Sequence, residues 1–245
     1  MKKVVIIQAR MGSTRLPGKV MKNLFGKTIL GHIISRVKIA SLIDDVIVAT
    51  TSLRGDDVIV EETEKYDIQC FRGSEEDVLS RFYFASKSIN TNIIVRITAD
   101  CPLVDPYVMD TMLNKFHGLR SGGVKVDYLS NTLERTYPRG LDVEIFSRES
   151  LERAYKEALE PYEREHVTPY IHRHPEVFYL YSFKNNEDLS HYRWTLDTAE
   201  DWTFISEIYA RLYNRENIFT TKDVLGLLRR EPELIEINSN VKQKN

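Results

Sequence analysis

The segment Gln8-Ala9-Arg10-Met11-Gly12-Ser13-Thr14-Arg15-Leu16-Pro17-Gly18-Lys19 gathers three cations, Arg10, Arg15 and Lys19, around two glycines. Glycine lets backbone N–H groups approach a ligand closely. Successive amides flanked by cations make a nest suited to a polyphosphate. The amides of Met11, Gly12 and Ser13 are the candidates for that nest, with Ala9 at its strand edge. The spacing is not that of a Walker A loop, which places four residues between its glycines and a Ser or Thr after its lysine. Here five residues separate Gly12 from Gly18, and Val20 follows Lys19. A G-x-G-x-x-G fingerprint is also missing. The plainer alternative is an exposed turn carrying solvated cations.

Two carboxylates form the second feature. Asp100 follows the apolar run Ile93-Ile94-Val95-Arg96-Ile97, and Asp197 follows Tyr192-Arg193-Trp194-Thr195-Leu196. Carboxylates converging from two strand ends can hold Mg²⁺, which takes oxygen ligands and keeps several waters. Such an ion bridges phosphate oxygens and neutralises charge in phosphoryl transfer. Asp100 could instead be only a turn residue. Asp197 could be only a helix N-cap. Thr198-Ala199-Glu200-Asp201 offers a capping pattern of its own, and Asp201 competes with Asp197 as second metal ligand.

These groups need elements to position them. Lys3 to Ala9 reads as a buried strand, and the helical spacing of Ile29, Leu30, Ile33, Ile34 and Val37 places a helix after the loop. Val46 to Ala49 is a strand, Val58 to Tyr66 a helix, Ile68 to Phe71 a short strand and Asp77 to Ser88 a helix. Ile93 to Ile97 is a strand and Pro106 to Phe116 a helix. This alternation predicts a doubly wound α/β fold: a mostly parallel sheet with helices on both faces. Ligands in such sheets bind outside the carboxyl ends of the strands, where both features fall.

The second half is less regular. Ser121-Gly122-Gly123 is a loop; Val126 to Leu129, Leu141 to Phe146, Val177 to Phe183 and Tyr192 to Leu196 read as strands. Ser150 to Leu159, part of Pro161 to His174, Thr198 to Tyr213 and Thr221 to Arg229 read as helices. No linker, repeat or low-complexity segment interrupts the chain. One domain is therefore expected over 1–245, with an irregular sub-region near 120–190 and a frayed polar tail over 239–245.

The bulk composition limits the function classes. Of 245 residues, 42% are hydrophobic, and 34 Lys+Arg against 36 Asp+Glu give a net charge of −2. That balance argues against a protein held by bulk charge to nucleic acid or to an anionic membrane. It hides a polarity, however: nine basic residues and no acidic one precede Asp44. No apolar stretch approaches a membrane span or the apolar region of a signal peptide. Two isolated cysteines, Cys70 and Cys101, suit a reduced, cytoplasmic protein. His166, His172 and His174 lack zinc spacing. His32 reads as structural, and Trp194 and Trp202 read as core.

The run from Ile7 through Lys19, with Gly26-Lys27-Thr28-Ile29-Leu30 after it, resembles the signature of sugar nucleotidyltransferases. Within them it resembles the cytidylyltransferases that activate acidic sugars: CMP-Kdo synthetase, acylneuraminate cytidylyltransferase and the spore coat polysaccharide biosynthesis protein F type. With the last type the resemblance continues through Gly73-Ser74-Glu75-Glu76-Asp77-Val78-Leu79-Ser80-Arg81, Arg96-Ile97-Thr98-Ala99-Asp100-Cys101-Pro102-Leu103 and Arg139-Gly140-Leu141-Asp142-Val143-Glu144, so it covers most of the chain.

The resemblance implies a CTP-dependent transfer of CMP to a sugar, with pyrophosphate leaving and Mg²⁺ held by Asp100 and Asp197. It implies surface polysaccharide or spore coat biosynthesis as the setting. It places Gly73, Ser74 and Arg81 in the nucleotide pocket and His166 near the sugar. It also implies a nucleotide-binding half over 1–118, a sugar-binding, metal and dimerisation half over 119–238, and a homodimer meeting through 120–190. Arg10 and Lys19 would be catalytic through charge stabilisation. Ser74 has an alternative role as an N-cap with Asp77 as its acidic N3 residue, and Arg81 as a partner of a glutamate on its own helix. Asp142 and Glu144, on one face of an alternating strand, could bond sugar hydroxyls. Arg139 could pair with a sugar carboxylate, and a solvated strand face is the alternative for all three. A glycosyltransferase with a nucleotide-sugar donor would share the fold, but the chain has no Asp-x-Asp motif. A non-catalytic nucleotide-binding module would retain the first loop and lose the two carboxylates.

Overall fold

Alternate residues of the first strand face opposite cores. In β1 (Lys3–Gln8), Val4 and Ile6 join one buried apolar cluster while Val5 and Ile7 join another. A strand apolar on both faces belongs in the middle of a sheet covered on both sides. The structure, a computed structural model, describes residues 1–243 and places β1 there.

β1 pairs in parallel with β4 (Asp45–Thr51) on one side and β6 (Ile93–Thr98) on the other. β4 carries β5 (Gln69–Gly73) in parallel at its outer side. Beyond β6 comes β8 (Glu144–Ser147), antiparallel, then β7 (Tyr128–Ser130) and β9 (Leu180–Ser182). The seven-stranded order is β5-β4-β1-β6-β8-β7-β9, and β8 alone runs against the rest. The irregular region near 120–190 thus adds three strands to the same sheet. A two-stranded hairpin, β2 (Asn23–Leu24) with β3 (Lys27–Thr28), has no counterpart in the periodicity because two residues cannot display one.

One cluster lies under α1 (Ile29–Val37), α4 (Pro106–Ser121), α8 (Ala199–Leu212) and α9 (Thr221–Arg230). The other lies under α3 (Val78–Ser88), α5 (Arg148–Glu157) and α7 (Pro169–Arg173), with Val167 entering it between α6 (Pro161–His166) and α7. α2 (Asp57–Glu64) sends Ile59 into the first. The doubly wound, mostly parallel fold therefore stands.

Several boundaries move. α4 continues through Ser121, so that residue is helical, and Gly122 ends the helix. β9 is shorter than Val177–Phe183, and Leu141 to Val143 lie outside β8. Tyr192 to Leu196 is not a strand: one isolated bridge, Arg139 with Arg193, is its only strand-like pairing among the described residues. In the expected tail, residues 239–243 form no helix or strand, but Gln243 Oε1 accepts from Arg193 Nη1 at 2.8 Å; Lys244 and Asn245 lie outside the described residues. Among the described residues no helix is long and apolar enough to cross a membrane.

Candidate active site

The chain leaves β1 toward β4 and, later, leaves β6 on β1's other side. The carboxyl ends of β1 and β6 therefore mark a topological switch point, the place where open α/β sheets open a crevice. A cleft of about 300 Å³ lies there, lined by Ala9, Arg10, Gly12, Ser13, Arg15 and Lys19 of the first loop, by Asp100 and Asp197, and by Glu165 and His166.

The first loop is closed on itself. Gly18 N–H reaches the Met11 carbonyl at 3.3 Å, and Gly18 turns the chain at φ 65°, in the left-handed region glycine tolerates. Met11 N–H donates to Asp56 Oδ1 at 2.7 Å. That commitment corrects the expected nest: the amides of Gly12 and Ser13 remain for an anion, and Met11's does not. Asp56, buried past the carboxyl end of β4, also takes the hydroxyls of Thr50 and Thr51. Its place just beyond a strand end is the positional signal that marks Asp100, and Asp56 was legible on the same ground.

After Gly18, a short 3-10 turn (Lys19–Met21) aims Lys19 inward. Its Nζ lies 3.1 Å from Asp100 Oδ2, 2.8 Å from Asp197 Oδ1 and 2.8 Å from the Leu196 carbonyl. Burial alone would lower the Lys19 pKa, but the two carboxylates outweigh it and hold the ammonium above its ordinary value. Burial would raise Asp100, yet Lys19 and the Thr98 hydroxyl, 2.6 Å from Asp100 Oδ1, hold it below the usual carboxylate range.

Asp197 reaches this point through backbone ties. Leu196 N–H donates to the Asp100 carbonyl at 2.8 Å, and the Thr195 hydroxyl donates to the same oxygen at 3.2 Å. Asp197 is not the cap of the next helix. Thr198 caps α8, in a capping box closed by Asp201. Asp201 is fully buried and accepts from Arg193, Asn238 and the amides of Asp197 and Thr198. With its oxygens so engaged, Asp201 holds Asp197 in place and is not available as the second ligand. Asp197 Oδ2 instead meets Arg15 Nη2 at 3.0 Å and Arg193 Nη2 at 3.2 Å. Arg193 lies four positions before Asp197 and eight before Asp201, a local spacing of opposite charges that could have marked it in the sequence.

The donor set fits a hard divalent ion. Asp100 and Asp197 already share one cation, the Lys19 ammonium, so their oxygens converge on a single point. Two carboxylates plus water and phosphate oxygens is the usual protein share for Mg²⁺. Among the described residues no group of three His, Cys, Asp or Glu could hold a metal, so the remaining ligands would be water and substrate.

The remaining candidates are divided. Arg10 spans the cleft edge, 3.8 Å from Glu75. Gly73 ends β5, where an added Cβ would press within 2.8 Å of the Arg81 side chain. Ser74 is not the cap of α3: Asp77 is, accepting from Ser80 N–H at 2.9 Å, while Ser74 Oγ accepts from Asp77 N–H at 3.1 Å. Arg81 pairs with no glutamate. It is fully buried and none of its three guanidinium nitrogens has a hydrogen-bond partner. Burial, then the charge of Arg10, lowers its pKa to about 10.

Of the four expected sugar contacts, His166 alone lines the cleft. Glu144 is corrected outright: it lies inside the sheet on β8, buried, bonded to Arg96, to the Tyr128 hydroxyl at 2.6 Å and to the Thr168 hydroxyl at 2.5 Å. Burial opposes its ionisation, but Arg96 and the two hydroxyls hold its pKa low. Asp142 does not share its strand; both its oxygens receive Arg135, at 2.6 and 2.9 Å. Arg139 lines a separate cavity with Tyr192, Arg193 and Asn238 and does not line the cleft.

Comparison with known proteins fits this geometry. The family model described as Cytidylyltransferase matches residues 4–231. The chain is similar to the spore coat polysaccharide biosynthesis protein SpsF of Bacillus subtilis, with 33% identity over 93% of this chain and 94% of that one. It is similar to the solved structure of a cytidylyltransferase from Leptospira borgpetersenii, with 36% identity, all of both chains covered and a TM-score of 0.91. It shares its fold with the solved structure of CMP:2-keto-3-deoxy-manno-octonic acid synthetase complexed with CTP, at 18% identity and a TM-score of 0.65, over 87% of this chain and all of that one.

Proposed function

The chain belongs to the cytidylyltransferase family, and from that premise we propose that it couples CMP from CTP to a sugar, an acidic one, releasing pyrophosphate for surface polysaccharide synthesis. The observation that carries this reading is the Lys19–Asp100–Asp197 cluster beside a loop with free amides, at the switch point of the sheet. It combines groups for phosphate oxygens with groups for a divalent cation.

In this reading a sugar hydroxyl oxygen bonds to the α-phosphorus of CTP as its proton passes to solvent water, the bond to the bridging oxygen breaks opposite it, and pyrophosphate leaves. Catalysis of this kind is mostly positioning and charge stabilisation, and no covalent nucleophile is required. Arg10 and Lys19 hold the triphosphate and meet the charge that grows on the leaving group. Arg15 assists, and the Gly12 and Ser13 amides complete the nest. Asp100 and Asp197 would hold Mg²⁺, which would neutralise phosphate charge. Lys19, now paired with both carboxylates, is placed to meet phosphate oxygens. Gly73, Ser74 and Arg81 serve the nucleotide. His166 serves the sugar.

The reading places residues 1–118 as the nucleotide half and 119–238 as the sugar and metal half, in a cytoplasmic homodimer. Incubation with each nucleoside triphosphate, Mg²⁺ and a panel of acidic sugars, followed by a pyrophosphate assay, tests it. CTP is expected to be preferred. No pyrophosphate from any triphosphate would sink the reading.

A further inference from the structure

Val167 joins α6 to α7 at φ 73° and ψ −55°, with its side chain fully buried. Thr168 N–H donates to the His166 carbonyl at 2.9 Å, so the three residues form a γ-turn of the rare positive-φ kind. A β-branched residue there is a true outlier. Such a conformation persists only where the surroundings over-determine it.

The surroundings do so here. The Val167 side chain is fixed in the apolar cluster under α5 and α7, and its N–H reaches the Glu163 carbonyl at 3.1 Å. The Thr168 hydroxyl donates to Glu144 Oε2 at 2.5 Å. Glu144 is itself fixed by Tyr128 and by Arg96, and Arg96 continues to Gln8 Oε1 at 3.2 Å. Gln8 and His166 both line the cleft. The chain of contacts therefore begins and ends at the site, and its middle is a buried carboxylate that takes no part in the chemistry.

We propose that Thr168 and Glu144 are positioning residues for the acceptor: their buried hydrogen bond holds the Val167 turn, and the turn sets His166 at the cleft. The identity of the acceptor as a sugar rests on the function proposed above; the clamp on His166 does not.

The test is Thr168→Val in the full chain, with Thr168→Ser as the variant that keeps the hydroxyl. The His166 ring signal is followed by NMR in the free protein, and KM is measured for CTP and for the sugar. Thr168→Val is expected to move and broaden the His166 signal and to raise the sugar KM by about tenfold or more, since a displaced His166 loses its binding contact with the acceptor. The KM for CTP should change by less than about twofold, and Thr168→Ser should restore both readouts. If Thr168→Val does not fold, Thr168→Ala is read the same way. A lower melting temperature with the His166 signal and the sugar KM unchanged would make the bond merely structural and overturn the proposal. So would an equal rise in both KM values. If the wild-type protein transfers nothing to any sugar, the function proposed above fails, and the His166 signal alone decides: movement in Thr168→Val supports the clamp, and no movement overturns it.

Discussion

Lys19 Nζ lies 2.8 Å from Asp197 Oδ1, across 178 positions of sequence. With Asp100 on its other side, the ammonium fills the point on which two carboxylates converge. It has two roles in the proposed reaction: it screens the carboxylates from each other in the free protein and meets the triphosphate in the loaded one. Lys19→Ala should therefore have opposite effects on two measurements. Activity should fall by about a hundredfold or more, as for removal of a charge-stabilising donor. Binding of Mn²⁺ in the absence of nucleotide, followed by titration calorimetry, should tighten, because no ammonium competes for Asp100 and Asp197. Unchanged Mn²⁺ binding would separate Lys19 from the metal ligands.

Arg81 gives a sharper split between stability and function. Its guanidinium is buried without a hydrogen-bond partner. A buried charge without a partner carries a desolvation cost that an apolar side chain of similar length does not. Arg81→Met should then leave urea unfolding unchanged or shift it to higher denaturant, while raising the KM for CTP. Destabilisation with an unchanged KM would make Arg81 a structural residue.

Gly140 holds the segment that delivers Asp197. It sits at φ 104°, and a Cβ there would come within 2.4 Å of Thr195 N and 2.5 Å of Trp194 C. Those are backbone atoms in the stretch leading to Asp197, fixed by Trp194 N–H to the Arg139 carbonyl at 2.7 Å. Gly140→Ala combines an unfavourable φ with a clash that no side-chain rotation relieves, so a loss above about 2 kcal/mol is expected in chemical denaturation. Activity should fall further than stability alone accounts for. Wild-type stability would contradict this packing.

His32 predicts a pH dependence of stability. The ring is buried, donates Nε2–H to the Leu24 carbonyl at 2.6 Å and packs edge-on against Tyr209 and Tyr213. Burial, opposed by that carbonyl, lowers its pKa from 6.5 to about 4. The folded state thus favours neutral imidazole, and the unfolded chain binds the extra proton between pH 6.5 and 4. The contribution is complete above pH 6.5 and falls by about 1.4 kcal/mol per pH unit until the folded ring itself takes up the proton near pH 4. Between pH 7 and 5, His32→Gln should lose about 2 kcal/mol less stability than wild type. Parallel curves for the two proteins would show that His32 does not titrate as described.

How much was legible depended on whether the determining contacts were local. The cationic loop is a continuous motif after an apolar strand, and Asp100 follows a strand directly, so both could be placed from their neighbours alone. The parallel half of the sheet was readable because buried central strands are apolar on both faces, as Val4 to Ile7 are. Glu144 was misplaced because its role depends on strand register: it lies opposite Arg96, 48 positions away, in an antiparallel pair that alternation cannot reveal. The run Tyr192-Arg193-Trp194-Thr195-Leu196 before Asp197 has the β-prone, alternating pattern of a strand without pairing as one. It is held instead by Asp100 and Arg139 backbone groups. Asp201 and Asp197 carry similar local signals and both meet Arg193; only the contacts of Asp201 with Asn238 and with the amides of Asp197 and Thr198 separate the anchor from the cleft residue.

The central claim is that this cluster transfers CMP to a sugar. The most direct measurement is transfer of label from CTP carrying a labelled α-phosphate, in the presence of Mg²⁺ and an acidic sugar, compared between wild type and Asp100→Asn. The account predicts that label appears in the sugar with one pyrophosphate per transfer in wild type, and that Asp100→Asn loses about a hundredfold or more of the rate. Label that stays in CTP or free CMP with every sugar, or an Asp100→Asn rate equal to wild type, would contradict it.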